Sequence, residues 1–336
     1  MVAALGIFLL ILVVLSVPAL LWLRSVGLMR ASDPTGSVAI VIPKGSGTSE
    51  VGDLLAENEI VPSALGFRIA VYLEGGAEDI QAGEYELPRG LSAKDALAEL
   101  IKGPKAPDVL RLTFPEGSWL VEFAAKYAEI TDRPSNEFLD LATSGRIRSR
   151  WQPKSVDTLE GLLFPSTYEV ATKDSARDVI ERLVDEFDER FAAAGAASAG
   201  KLGLSPYEAV IVASMIEAEA FVPEERPKIA SVIYNRLDQD QALGIDATII
   251  YGLGERGRDL TDTDLAKDSP YNTRKVTGLP PTPIGSPGMS SLEAALDPAE
   301  TDFFYYVLTD CAGHHAFSET YDEFLDNVAD YRNLSC

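Results

Sequence analysis

The sequence predicts an α+β protein behind a single N-terminal transmembrane helix, and three observations predict it. Residues 3–23 form one long, uncharged, apolar run. A strand-like run, a Pro-x-Gly step and a helical pattern then follow one another three times. Further on, a carboxylate, Glu217, stands inside an otherwise apolar helical run, Ala213-Ser214-Met215-Ile216-Glu217-Ala218-Glu219-Ala220. At 336 residues the chain is longer than one compact core usually takes, so two or three lobes are expected.

About 20 apolar residues span a bilayer as a helix. A cleaved signal peptide has a shorter apolar core and a basic start. Here the core is long and no Lys or Arg precedes it, so residues 1–30 read as an anchor with a short flank. Arg24, Arg30 and Lys44 follow the span. Charge bias alone would place the rest of the chain in the cytoplasm, but that rule is weak for a large following domain.

After a short linker, Ser32-Asp33-Pro34-Thr35-Gly36, the repeated pattern begins. Its strand-like runs are residues 38–42, 85–87 and 109–114. They end at Pro43-Lys44-Gly45, Pro88-Arg89-Gly90 and Pro115-Glu116-Gly117. Pro and Gly punctuate the strand end, and a nearby Ser or Thr can cap the helix. Ser92 is one such cap; Leu97, Leu100 and Ile101 give that helix its apolar face, and Gly103-Pro104 stops it. The unequal spacing of the three instances excludes a solenoid, so small α+β modules are expected. Such modules either bind wall polymer or act as spacers.

Residues 159–170 form a dense aromatic and apolar block that reads as core, and residues 192–200 a small-residue stretch that reads as a boundary. Ser205-Pro206-Tyr207-Glu208 opens the helix of Glu217 with a capping box and a first-turn proline. The next helix follows Pro223, with Ile229, Val232, Ile233 and Leu237 on one face. Residues 246–251 fit a strand or a short helix, and residues 269–288 form a long Pro/Gly-rich loop of the kind that is often functional. Ser290-Ser291-Leu292-Glu293 caps a short helix, residues 303–308 read as a buried strand, and the tail as a final helix.

The net charge is −23, from 52 acidic against 29 basic residues. Nucleic acid needs a basic footprint, so it is excluded as a partner. The two cysteines, Cys311 and Cys336, and two histidines, His314 and His315, do not make a zinc spacing, and no metal or other cofactor is expected. The cysteines can pair outside the cytosol.

Glu217 lies four residues after Ala213 and seven after Val210, so its helix-face neighbours are small or apolar. Burial there disfavours the charged form and should raise its pKa, which suits a proton donor to a glycosidic leaving group. The bland alternative is a half-buried glutamate paired with Arg226 or Arg236. Glu219 sits about 200° further round the helix. The two carboxylates therefore cannot both point into one cleft, and Glu219 is expected to hold a backbone amide or an arginine.

Taken together, the residues resemble the endolytic murein transglycosylase, or YceG-like, family. The motifs are Met215-Ile216-Glu217-Ala218-Glu219-Ala220, Glu224-Glu225-Arg226-Pro227, residues 230–237, residues 249–253, Ser269-Pro270-Tyr271-Asn272-Thr273 and residues 278–284. Pro115-Glu116-Gly117, residues 159–165 and Ile42-Pro43-Lys44-Gly45 match as well, so the resemblance covers nearly all of the chain after the anchor. It implies a LysM-like module over residues 31–106, an intervening α+β part over 107–200 and a catalytic lobe over 201–336. It also implies an enzyme of the cytoplasmic membrane whose catalytic domain faces outward. Such an enzyme would cleave the MurNAc-β-1,4-GlcNAc bond of nascent peptidoglycan strands, leave 1,6-anhydroMurNAc ends and terminate glycan synthesis. The family's catalytic glutamate aligns with Glu217. Expected partners are glycan strands, the membrane and peptidoglycan synthases.

That chemistry needs one carboxylate, because the sugar's own C6 hydroxyl attacks C1. Asn235, Asp246, Tyr271, Asn272 and Glu219 are candidates to hold the sugars, with His314 as a further cleft residue where the family carries a Gly-His pair. The segment Leu243-Gly244-Ile245-Asp246-Ala247-Thr248 departs from the family's Leu-Gln-Ser-Asp-Pro-Thr, which puts a binding role for it in doubt. Two competitors are a non-catalytic wall-binding scaffold and a water-using muramidase. The muramidase would need a second carboxylate, with Asp246 or Glu219 as the first suspect.

Overall fold

Among the described residues the strands pair as three separate antiparallel ribbons, not as one sheet. The computed structural model describes residues 35–105 and 108–333. The expected membrane span lies outside them. The chain divides into two compact units, the first ending at Pro107 and the second beginning at Asp108.

In the first unit β1 (Thr35–Ile42) pairs with β2 (Gly83–Arg89), and α1 (Thr48–Glu57) and α2 (Ala64–Glu74) lie between them in sequence. The helix α3 (Ala93–Ile101) follows. Ile40, Ile42, Tyr85 and Leu87 alternate toward one face and bury against Val51, Leu55, Phe67, Leu97 and Leu100. Ser92 caps α3 through the amide of Asp95 at 3.1 Å. Ile101, expected in the apolar face of α3, is instead 41% exposed, because it is the last residue of the helix.

In the second unit β3 (Val109–Thr113) pairs with β4 (Thr167–Ala171). The helices are α4 (Leu120–Thr131), α5 (Ser135–Ala142), α6 (Ala176–Ala194), α7 (Pro206–Glu219), α8 (Arg226–Asp238), α9 (Asp246–Leu253), α10 (Asp262–Ala266) and α11 (Met289–Leu296). The hairpin β5 (Tyr305–Leu308) and β6 (His315–Ser318) and a last helix, α12 (Tyr321–Arg332), complete it. One core runs from Leu112 through Phe123, Leu162, Phe187, Ile211 and Ile233 to Leu292. The boundary expected near residue 200 is therefore absent. Ala196 and Ala199 are buried in that core, and their small side chains let the 3₁₀ segment Ala196–Leu202 close onto it. The region left open as strand or helix is the helix α9, with Thr248 and Ile249 buried, and it ends at left-handed Gly254. The strand expected to be buried at 303–308 is partly exposed throughout β5: Tyr306 packs against the core and reaches Glu219, while Tyr305 stacks on Phe324 of α12 at 5.3 Å under the Arg236 guanidinium. Cys311, in the turn of that hairpin, is disulfide-bonded, and Cys336 lies outside the described residues.

The block expected to be core is core, with one polar residue in it. Glu160 is buried and accepts the Leu120 amide on both oxygens at 3.1 Å and the Tyr251 hydroxyl at 3.0 Å, so it fixes the start of α4. Gly161 has φ +75°, and a Cβ there would stand 2.3 Å from Pro283. The absence of a side chain lets the loop before α11 press against this turn.

Burial pushes the Glu160 carboxyl up to about 7, against the pull of its bonds to Leu120 and Tyr251. The folded state therefore holds this proton at pH values where the unfolded chain has released it. By linkage, stability falls as pH rises between about 4.5 and about 7, by on the order of 3 kcal/mol from this group. Glu160→Gln should lack that share of the slope. Urea unfolding of both proteins at pH 5 and pH 7.5 checks this; parallel pH dependences would show that Glu160 stays ionised.

Candidate active site

The helix α7 begins with a full capping box at Ser205 and Glu208 and with Pro206 in its first turn. Residues 209–216 are all buried, so the helix is enclosed on every side and emerges only at its last turn, where Glu217 stands. An enclosed helix orients a side chain rigidly, because its own backbone cannot roll.

The immediate partners of Glu217 come from elsewhere in the chain. Its Oε2 accepts the Gly288 amide at 3.0 Å and the Ser291 hydroxyl at 2.7 Å. Gly288 is the N-cap of α11 and Ser291 lies in its first turn, so the positive end of that helix faces the carboxylate. Arg226 Nη2 lies 3.6 Å from Oε1, with both side chains nearly buried, and Arg226 Nε donates to Ser291 Oγ at 3.0 Å. The pairing with Arg226 that the sequence allowed is present; Arg236 instead donates to the carbonyls of Phe304 and Leu243.

Glu217 lines a cleft of about 260 Å³ with Glu116, Trp119, Ala247, Ile250 and Arg256. One wall is the turn after β3. Gly117 and Ser118 exchange backbone bonds with Ser286 at 2.8 and 2.9 Å, which ties that turn to the loop before α11. Trp119 is anchored at the start of α4 by Glu122, which accepts its amide at 2.7 Å. The Arg256 guanidinium lies 4.4 Å over the Trp119 ring, donates to Gly117 O at 2.9 Å and faces Glu122 at 3.4 Å. An aromatic wall beside a carboxylate suits a sugar ring, which offers C–H faces and hydroxyl edges.

The structure places the six residues proposed as sugar holders outside the set that lines this cleft. Asn235 donates to the carbonyls of Thr301 and Phe303 at 2.8 and 2.9 Å, which fastens α8 to the chain leading into β5. Asn272 is buried and donates to the carbonyls of Leu265 and Lys267. Asp246 makes a two-bond pair with Arg274 at 2.6 and 3.0 Å, on the surface. Tyr271 packs against Tyr251 with its ring tilted by 59° and shares a hydrogen bond with Thr282 at 2.8 Å. Glu219 accepts the Tyr306 hydroxyl at 2.9 Å, not an amide or an arginine, and burial raises its pKa. His314 is exposed and pairs with Asp310 at 2.7 Å. The buried histidine is His315, which meets Glu225 through its ring and its amide at 2.7 and 3.0 Å. Side chains at turns and helix ends satisfied nearby backbone groups, which is the commoner use of Asn and Asp. Asn235→Ala should cost about 1–3 kcal/mol of stability, because two carbonyls lose their donor, with glycan binding unchanged. Urea unfolding beside glycan-fragment titration checks this, and a weakened affinity with intact stability would restore Asn235 as a sugar contact.

Sequence reasoning missed Glu116, Trp119, Arg256, Gly288 and Ser291. One signal was present. The third Pro-x-Gly step carries an acid, Glu116, where the first two carry Lys44 and Arg89.

A family model described as the YceG-like family matches residues 40–330. The endolytic murein transglycosylase of Bacillus subtilis is 33% identical over 305 residues, covering 87% of this chain and 84% of that protein. That of Streptococcus pneumoniae is 27% identical over 330 residues, covering 88% of this chain and 58% of that protein. A yceG-like protein of Listeria monocytogenes superposes with a TM-score of 0.59 at 31% identity, over 86% of this chain and 98% of that one.

Proposed function

The chain belongs to the YceG-like family, and from that premise we propose that it is a lytic transglycosylase that cleaves peptidoglycan with Glu217 as its single acid and base. Glu217 protonates the oxygen that leaves as GlcNAc departs from the MurNAc C1. The MurNAc C6 hydroxyl then attacks C1 and returns its proton to Glu217. The product is a 1,6-anhydroMurNAc end, and no water enters. The observation that carries this reading is the carboxylate of Glu217, held from Gly288, Ser291 and Arg226 at the mouth of a cleft walled by Trp119. Fixed geometry of this kind is what proton transfer requires.

The remaining parts of the reading follow from the chemistry and from the uncharged run at residues 3–23. The substrate lies outside the cytoplasmic membrane, so the anchor places residues 31–336 on that side, where cutting a nascent strand ends its polymerisation. The first unit, with the order β1–α1–α2–β2, is assigned as a LysM-like glycan holder, and peptidoglycan synthases are assigned as partners.

Glu116 supports a second reading, the water-using muramidase. It supplies the second carboxylate in place of Asp246 and Glu219, which lie elsewhere. Mass spectrometry of the products of purified strands, cut by the full chain, separates the two. Anhydro ends establish the transglycosylase; reducing ends establish hydrolysis.

A further inference from the structure

Trp119 is only 8% exposed, although its ring walls the cleft. The Arg256 guanidinium lies 4.4 Å over that ring, and Tyr251 meets it edge-on at 5.3 Å. Arg256 itself keeps 47% of its side chain exposed, so a ligand in the cleft meets the guanidinium before the indole. Its Nη2 donates to the Gly117 carbonyl at 2.9 Å, and its Nε faces Glu122 Oε1 at 3.4 Å. Gly117 in turn stands against Glu217: a Cβ there would be 3.7 Å from Glu217 Cγ. Among the described residues, both N–H groups of Nη1 and one of Nη2 have no protein partner. The other guanidinium near Glu217, that of Arg226, is nearly buried between Glu217 and Ser291. Among the described residues that line the cleft, Arg256 carries the one positive charge, against Glu116 and Glu217. Stacking on an indole fixes the plane of a guanidinium and leaves its edge free to donate, the geometry that takes a carboxylate through two parallel bonds.

Resting on the transglycosylase reading, we propose that Arg256 is a specificity-determining residue: it binds a carboxylate on the side arm of muramic acid. Muramic acid differs from the glucosamine unit by a lactyl group on O3. The carboxyl of that group is either free or extended by a peptide with carboxylates of its own. A glucosamine unit offers no such group. Glu116 and Glu217 repel an anionic sugar and Arg256 attracts it. The guanidinium therefore decides which unit of the strand sits in the cleft and, with it, which glycosidic bond meets Glu217. In a strand of alternating units, that choice separates the bond on one side of muramic acid from the bond on the other. Gly117 couples the two events in space, because its carbonyl holds Arg256 while its Cα lies against Glu217.

The test is equilibrium binding of end-labelled glycan strands to the full chain carrying Glu217→Gln, which keeps the strand intact, with and without Arg256→Gln. Strands are used as isolated and after their carboxyls have been converted to amides, in peptide-free and peptide-bearing forms. With Arg256 present, native strands should bind about tenfold more tightly than amidated ones, the effect of one charge-assisted pair in a half-open site. Arg256→Gln should bind both alike. Arg256→Lys should keep only part of the preference, since it retains the charge but not the planar fork. A preference already present in peptide-free strands assigns the lactyl carboxylate; one that needs the peptide assigns a peptide carboxylate. Equal binding of native and amidated strands with Arg256 present would overturn the proposal. So would a preference that survives Arg256→Gln, which is the result expected if the arginine only props the wall and its loss weakens both strands together. Strand cleavage despite Glu217→Gln would fail the transglycosylase reading, whereas binding without a charge preference fails only the role of Arg256. Absence of binding by every strand fails both. A thermal melt beside each titration checks that the variants are folded.

Discussion

Glu217→Gln should slow cleavage of purified glycan strands by about 10²–10⁴-fold while the protein stays folded. Glutamine keeps an oxygen to accept from Gly288 and Ser291, so the loop before α11 retains its anchor. Arg226 keeps its bond to Ser291 and the attraction of Glu116. On the proposed reading, what is lost is the group that gives and takes the proton. The loss should fall on kcat, with glycan affinity nearly unchanged, because the amide occupies the same volume. Single-turnover assays with defined strands, read beside a melting curve, measure both. Cleavage at the wild-type rate would leave the scaffold reading standing, since a wall-binding protein has no use for this carboxyl. Equal losses in affinity and rate would mean that Glu217 holds the sugar and does not move a proton.

Removing the cation should have the largest effect on stability. Arg226→Met at neutral pH should cost about 3 kcal/mol, because it leaves a nearly buried carboxylate beside Glu116 without its counter-ion. The cost should shrink toward pH 5, where a proton can neutralise one of the two acids. The double variant Arg226→Met/Glu217→Gln should recover most of the loss, since the uncompensated charge is gone. Urea unfolding of the two single variants and the double variant at pH 5 and pH 7.5 gives the coupling. If the double variant is as unstable as Arg226→Met, the arginine acts by packing and through Ser291, and not through its charge.

Local signals were legible because they act over a few residues. Ser205, Pro206 and Glu208 start α7 within one turn, whatever the rest of the chain does. The same holds for Ser92 at α3 and for the Pro-Gly steps that end the strands. Glu217 stood out for a similar reason: a charge in an apolar run needs a purpose. Its partners did not stand out. The expectation of apolar neighbours treated α7 as having a single inward face, whereas the helix is enclosed all round to residue 216. The expected boundary near residue 200 failed for a related reason, since small residues permit close packing as readily as they permit a linker.

Side chains that the sequence offered as sugar holders show the limit most clearly. Asn235, Asp246 and Asn272 are polar residues in matching motifs, and the fold uses each of them to satisfy a carbonyl or an arginine nearby. Glu116 was the reverse case, a residue in a turn with no local task. Its turn is joined to the loop before α11 by two backbone bonds at Ser286, and Gly288 leaves room for its carboxyl.

By itself, then, the sequence determined the α+β class, the starts of the helices, the family and the acid that marks the site. These depend on short-range periodicity, capping and motif order. Only the tertiary structure decided what surrounds that acid, because Glu116, Arg226 and the Gly288–Ser291 turn are brought to it from three different segments. Burial and repulsion between charges depend on distance in space, which no spacing along the chain records.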